Sequence, residues 1–231
     1  MKLSSTSAVP IMLGVTAGYV DAAGYLALQG LFTSHVTGNF VTLGASLVSG
    51  TSGVLAKLLA LPTFCAVIIV TRWLSQGLPR RGLPILRIIL SLKVVLLAAA
   101  AALAIHFGPF SNGDSGEALV TGMTLVSAMA IQNALQRIHL SASPPTTIMT
   151  GTTTQIMIDV ADLLRGVPAG EKVAVRARLT RMTAAVLAFA SGCAAAALFY
   201  FLVGVYCFLL PPLLAVGTLM LPAVPGEEGV Q

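Results

Sequence analysis

A chain of 231 residues with 56% hydrophobic and only 9% charged side chains cannot cover a water-facing surface; a soluble domain uses about 25% charged residues for that purpose. A mean hydropathy of +0.92, with several runs near the ~18 apolar residues of a spanning helix, makes it a polytopic membrane protein. The formal charge of +5 comes from loop residues that mark cytoplasmic segments, which excludes reading it as a nucleic-acid footprint.

Eight apolar segments follow in chain order. The first, 8–28, follows Lys2 and carries Asp21 near its middle; it reads as an uncleaved helix, since no soluble domain stands behind it for export. A carboxylate at that depth costs about 2.5–3.5 kcal/mol on insertion scales, so Asp21 is expected to face protein with a partner or to be protonated. Lys93 is a candidate partner, with snorkelling to the cytoplasmic interface as its alternative. Segment 37–48 starts in Ser34-His35-Val36-Thr37-Gly38-Asn39 and is too short to cross ~30 Å at 1.5 Å per residue. Segments 54–74 and 85–106 are long enough. Arg72, Arg80, Arg81 and Arg87 between and beside them place that loop in the cytoplasm.

The fifth segment, 118–136, follows a loop with Asp114 and Glu117 and ends in Gln132-Asn133, then Arg137 and His139. The sixth, 146–158, is short and threonine-rich and contains Thr147-Ile148-Met149-Thr150-Gly151-Thr152. Arg165, Lys172, Arg176, Arg178 and Arg181 then precede segments 180–202 and 205–221, with a turn expected near Gly204 or at Pro211-Pro212. Cys65, Cys193 and Cys207 lie inside apolar runs and read as small core residues.

The charges test which segments cross. The loop near 114 lacks Lys and Arg and belongs outside, whereas the stretch 165–181 is strongly basic and belongs inside. An odd number of crossings must separate them, yet two apolar segments lie between, so the short sixth does not cross. Its counterpart, the second, follows the same rule. The predicted architecture is an all-α polytopic membrane protein with six spanning helices and two short re-entrant or half-helix segments. It is an inverted internal repeat with halves 1–110 and 111–231 in one membrane domain, and both termini are cytoplasmic.

The Thr-Gly motif occurs once in each half. A helix beginning there offers unpaired N–H groups and a partial positive charge, and glycine lets a ligand approach the backbone. The candidate binding residues are Asp21, Thr37, Gly38, Asn39, Gln132, Asn133, Thr150, Gly151 and Thr152. Capping and helix packing are the alternatives for the same residues. His35 is either a proton-exchanging group or a passive interfacial side chain, and Asp159 and Asp162 are expected to face cytoplasmic water. Ala98 to Ala102, Gly192 and Ala194 to Ala197 form small-residue faces suited to close helix contacts or to a homo-oligomer.

The implied function is a small-solute transporter or channel with its site between the two Thr-Gly segments, no cofactor, and the lipid bilayer as its surroundings. A non-transporting scaffold or partner-binding protein is the alternative. An intramembrane enzyme is disfavoured, because Ser34 and His35 are chain neighbours, which seldom form a nucleophile and base, and no metal-ligand spacing occurs.

Gly18-Tyr19-Val20-Asp21-Ala22 with Gly24-Tyr25, the Ser34 to Asn39 motif, and Gln132-Asn133-Ala134 with Thr147 and Thr150-Gly151-Thr152 together resemble the YoaK family of bacterial membrane proteins. The resemblance covers essentially the whole chain and implies an inner-membrane location. That family is of unknown function, so no substrate follows from it. Pro144-Pro145 departs from its pattern and bears on how the chain enters the second Thr-Gly.

Overall fold

The helix limits follow the apolar runs and the glycines and prolines that bound them. The structure, a computed structural model, describes residues 8–77 and 85–221. Its helices are α1 (Ala8–Ala27), α2 (Asn39–Ser49), α3 (Val54–Gly77), α4 (Ile85–Phe107), α5 (Gly116–His139), α6 (Met149–Arg165), α7 (Ala169–Val203) and α8 (Leu210–Met220). A 3-10 turn at Val36–Gly38 leads into α2 and another at Gly204–Leu209 leads into α8. No strand occurs among the described residues. Five helical stretches are long and apolar enough to cross a bilayer, the last running through Gly170–Met220. Lys2, Arg80, Arg81 and both termini lie outside the described residues.

One limit differs from expectation, and the choice between two breaks is decided. Helix α7 starts at 169 rather than 180, because Lys172, Arg176 and Arg181 sit exposed on its first turns and long basic side chains favour helix. The break before α8 falls at Gly204, whose φ of +58° suits a residue without Cβ. Pro211 and Pro212 instead occupy the first turn of α8, where a missing N–H breaks no helical bond.

Helices α1, α4, α5 and α8 form the centre, with α1 and α4 each packed on both α5 and α8. On the flanks α7 lies along α1 and α3 along α5, while α2 rests on α3 and α6 on α7. Gly14 lies against Ala185 and Ala188, and Gly18 against Phe189 and Cys193, so α1 and α7 run parallel. A Cβ on Gly18 would collide with the Phe189 carbonyl, and one on Gly192 with that of Val15; the small-residue face at 192 is therefore the α1–α7 contact. Thr63 meets Met123 and Ser75 meets His139, so α3 and α5 also run parallel.

At one end of the molecule Asp114 accepts the N–H groups of Gly53, Val54, Leu55 and Ala56. These are the unpaired donors that open α3, and a carboxylate there also complements the helix dipole. Lys57 Nζ donates to the Gln29 carbonyl at 2.8 Å, and the Gln29 amide donates to the Phe110 carbonyl at 3.0 Å. The end of α1, the start of α3, the end of α4 and the start of α5 are thus gathered together, and α2 returns to the end it left. At the opposite end Val9 and Leu13 cluster with Ile89, Leu90, Ile131, Leu135 and Leu140, joined by Leu219 and Leu221. The start of α1 and the end of α8 share that end.

Candidate functional site

Asp21 stands six residues before the end of α1, about 9 Å down the helix. The chain beyond α1 folds back to reach it. One carboxylate oxygen accepts the N–H groups of Thr33 at 2.8 Å and Ser34 at 2.7 Å, and the other faces His35 Nδ1 at 2.7 Å. Turning a backbone at membrane depth strands its N–H groups, and Asp21 satisfies them. Asn39 closes the same loop from the other side. Its Oδ1 accepts the Phe32 N–H at 2.9 Å and its Nδ2 donates to the Phe32 carbonyl at 2.8 Å. The His35 side chain is 35% exposed between the edges of Phe32 and Phe189. Ser34 Oγ donates to the Ala17 carbonyl at 3.4 Å.

Asn133 stands six residues before the end of α5. The loop after α5 folds back in its turn, and Thr147 Oγ1 donates to Asn133 Oδ1 at 2.6 Å. Gln132 Nε2 donates to the Leu13 carbonyl at 2.8 Å and lies 3.2 Å from Thr146 Oγ1, tying α5 to α1 and to the loop. Gln136, one turn on, donates to the carbonyls of Leu140, Ser143 and Pro144, while its buried Oε1 has no partner among the described residues. Pro144-Pro145 is therefore accommodated inside a loop whose carbonyls Gln136 holds.

Lys93 is not the partner of Asp21. Its ammonium, in a residue 1% exposed, donates to Gln132 Oε1 at 2.5 Å, and the partner of Asp21 is His35. The reason is position: Asp21 lies toward the end of the molecule that carries Gln29, whereas Gln132 and Lys93 lie toward the other. Lys93 does not reach the interface either; the surrounding helices bury it.

On α2 the buried residues are Asn39 and Ser46, one and eight residues after Gly38. On α6 Thr152 and Asp159, one and eight residues after Gly151, are buried together with Ile156. Asp159 was expected in water and is instead inaccessible. Arg178 holds it with two bonds of 2.9 and 2.6 Å, and Gln155 adds a third at 2.8 Å. The Arg178 hydrogen bonds keep the Asp159 carboxyl below the usual carboxylate range, against the opposing effect of burial. Asp162 is exposed as expected. On α2 the buried Ser46 is held in turn by Lys57, whose Nζ donates to its Oγ at 2.9 Å.

Among the predicted binding residues, Asp21 and Asn39 come together around the first loop, and Gln132 and Asn133 around the second. Thr37, Thr150 and Gly151 are exposed and Gly38 faces the Phe32 ring. The Thr-Gly segments sit on separate flanking helices, and the polar groups at the centre are Lys93 and Gln132. Lys57, Thr33 and Thr146 were missed; a lysine four residues into an apolar helix was the one signal available for any of them.

Residues 9–221 match the family described as "Protein of unknown function (DUF1275)". The chain belongs to that family. It is also similar to the UPF0700 transmembrane protein YoaK of Bacillus subtilis (strain 168), with 29% identity over 159 residues. The match covers 66% of this chain and 66% of the relative, just under two thirds of its length. No solved structure matches the chain. The resemblance to the YoaK family therefore holds, and the protein is a multi-pass membrane protein of a family described as of unknown function.

Proposed function

We propose that this protein is a small-solute transporter or channel of the bacterial inner membrane, built as an inverted repeat of six spanning helices and two re-entrant half-helices. The observation that carries the reading is the matched anchoring of the two loops. Asp21 and Asn133 each lie six residues before their helix ends, and each binds the chain three or four residues ahead of a Thr-Gly. Exchanging α1–α4 for α5–α8 also turns the main packed pairs into one another: α1 with α7 becomes α5 with α3, and α2 with α3 becomes α6 with α7.

Irregular backbone at membrane depth survives where protein or a water-filled cavity satisfies it, and paired interrupted segments in two halves are the mark of a transport site. In this reading Asp21, Thr37, Gly38 and Asn39 form the outer gate. Gln132, Asn133, Thr150, Gly151 and Thr152 form the inner one. In the same reading the start of α7 and both termini face the cytoplasm, which the exposed basic residues Arg165, Lys172, Arg176 and Arg181 support.

Swelling of proteoliposomes in a panel of small neutral and charged solutes tests a channel, and counterflow of the same solutes tests a carrier. The expectation is flux above empty vesicles for at least one solute, lost in Asp21→Ala and in Gly38→Trp. Folded protein that passes no solute in either assay rejects the proposal.

A further inference from the structure

The two buried lysines differ in how their charge is met. Lys57 Nζ has three oxygen partners: the carbonyls of Gln29 and Ser52 and the hydroxyl of Ser46. Lys93 Nζ has one, the neutral amide oxygen of Gln132. In its charged form the amine carries three donors, of which two are without a partner among the described residues. The carboxylates of those residues are committed elsewhere or lie in solvent. Asp21 is held by His35 and two backbone N–H groups, Asp159 by Arg178, and Asp114 by the start of α3. Glu117, Asp162 and Glu171 are exposed.

Lys93 is also central. It is the ninth residue of α4, about 12 Å from the start of that helix, on an element packed against both α5 and α8. Gln132, which it touches, reaches α1 through Leu13 and the second re-entrant loop through Thr146. Lys93, Gln132 and Thr146 are each 1% exposed. Burial without a counter-charge disfavours the charged form of an amine, and a bound partner of opposite sign is what stabilises that form.

We propose that Lys93 is the charge-reading group of an anion site at the centre of the membrane domain, which takes a small monovalent anion such as a carboxylate or a halide. The anion completes the hydrogen bonds of the ammonium, while Gln132 positions the amine and links site occupancy to the inner loop. This rests on the transport reading, because an anion reaches Lys93 only by passing between the two halves. Binding itself is measurable without flux.

The test is thermal unfolding of the full chain in detergent, in sodium acetate and in sodium chloride, with sodium gluconate as the bulky reference at equal ionic strength. A ligand of the folded state alone raises the midpoint with concentration, here over about 1 to 100 mM. Wild type is expected to melt several degrees higher in acetate or chloride than in gluconate. Lys93→Met should abolish the difference. Should that variant fail to fold, Gln132→Glu, which places a fixed carboxylate beside the amine, should abolish it too. Equal melting of wild type in all three salts overturns the proposal, as does an anion effect that survives these substitutions. Anion-dependent melting without flux keeps the site and rejects transport; flux without anion dependence does the reverse.

Discussion

Asp21 binds the backbone N–H of Ser34 at 2.7 Å although Ser34 lies seven residues beyond the last residue of α1. That bond sends the chain back into the protein before α2 begins. A carboxylate suits the position because it accepts two backbone N–H groups and the His35 ring at once, which a neutral side chain of the same size cannot do.

Asp21→Ala should therefore destabilise the folded chain by roughly 2–5 kcal/mol, since it strands buried donors as well as deleting bonds. Asn133→Ala removes a neutral acceptor for one hydroxyl and should cost about 1 kcal/mol. Chemical unfolding in micelles gives both values. An Asp21→Ala chain as stable as wild type would remove the anchor from the first loop.

Gly18 and Gly192 are the close-approach points of α1 and α7, where added atoms meet backbone rather than flexible side chains. Leucine at either should cost about 3 kcal/mol or more and leave little monodisperse protein after extraction. Gly44 has nothing within reach of an added Cβ, and Gly44→Leu should elute as wild type does. Equal recovery of all three variants would contradict the α1–α7 packing.

The depressed Asp159 carboxyl makes stability depend on pH with a definite sign. A carboxyl whose folded value lies below its unfolded value of about 3.9 contributes stability above that pH and loses it as pH falls through the folded value. Wild type should melt higher than Asp159→Asn at neutral pH, and the two should converge in acid. Melting curves between about pH 3 and 7 decide the matter. A constant gap across that range would mean that the Arg178 pair does not set the Asp159 carboxyl.

The proposed inversion of the halves would put Ser49, at the end of α2, and Gly170, near the start of α7, on opposite faces of the membrane. With Cys65, Cys193 and Cys207 replaced, a single cysteine at Ser49 should react with an impermeant thiol reagent in intact cells. One at Gly170 should react only after lysis. Labelling of both from the same side would mean that α2 and α6 cross, and the re-entrant loops would then be lost.

Much of the fold was legible in the sequence. Apolar length marked the long helices to within a few residues at most of their ends, because a bilayer accepts few charges in a spanning segment. The shortness of 37–48 and 146–158 was legible too, and both segments form helices apart from the five long stretches. The bounds of α7 were less legible, since its basic first turns are as helical as its apolar remainder and hydropathy registers only the latter. Within the site, Asp21 and Gln132-Asn133 stood out as polar groups in apolar helices, but their partners did not.

Composition and periodicity by themselves determined that this chain lives in a membrane, that it is all-helical, and which polar residues must be satisfied inside its helices. They act through local physics: transfer of side chains to lipid, helix length, and the loop charge that sets orientation. Only the tertiary structure decided that Asp21 takes His35 and the Ser34 backbone rather than Lys93, that Asp159 is buried on Arg178, and that Lys93 is left with Gln132 at the centre. Those pairings join residues on different helices, and helix crossing sets their separations. A sequence states which groups need partners; packing determines which of them come within 3 Å.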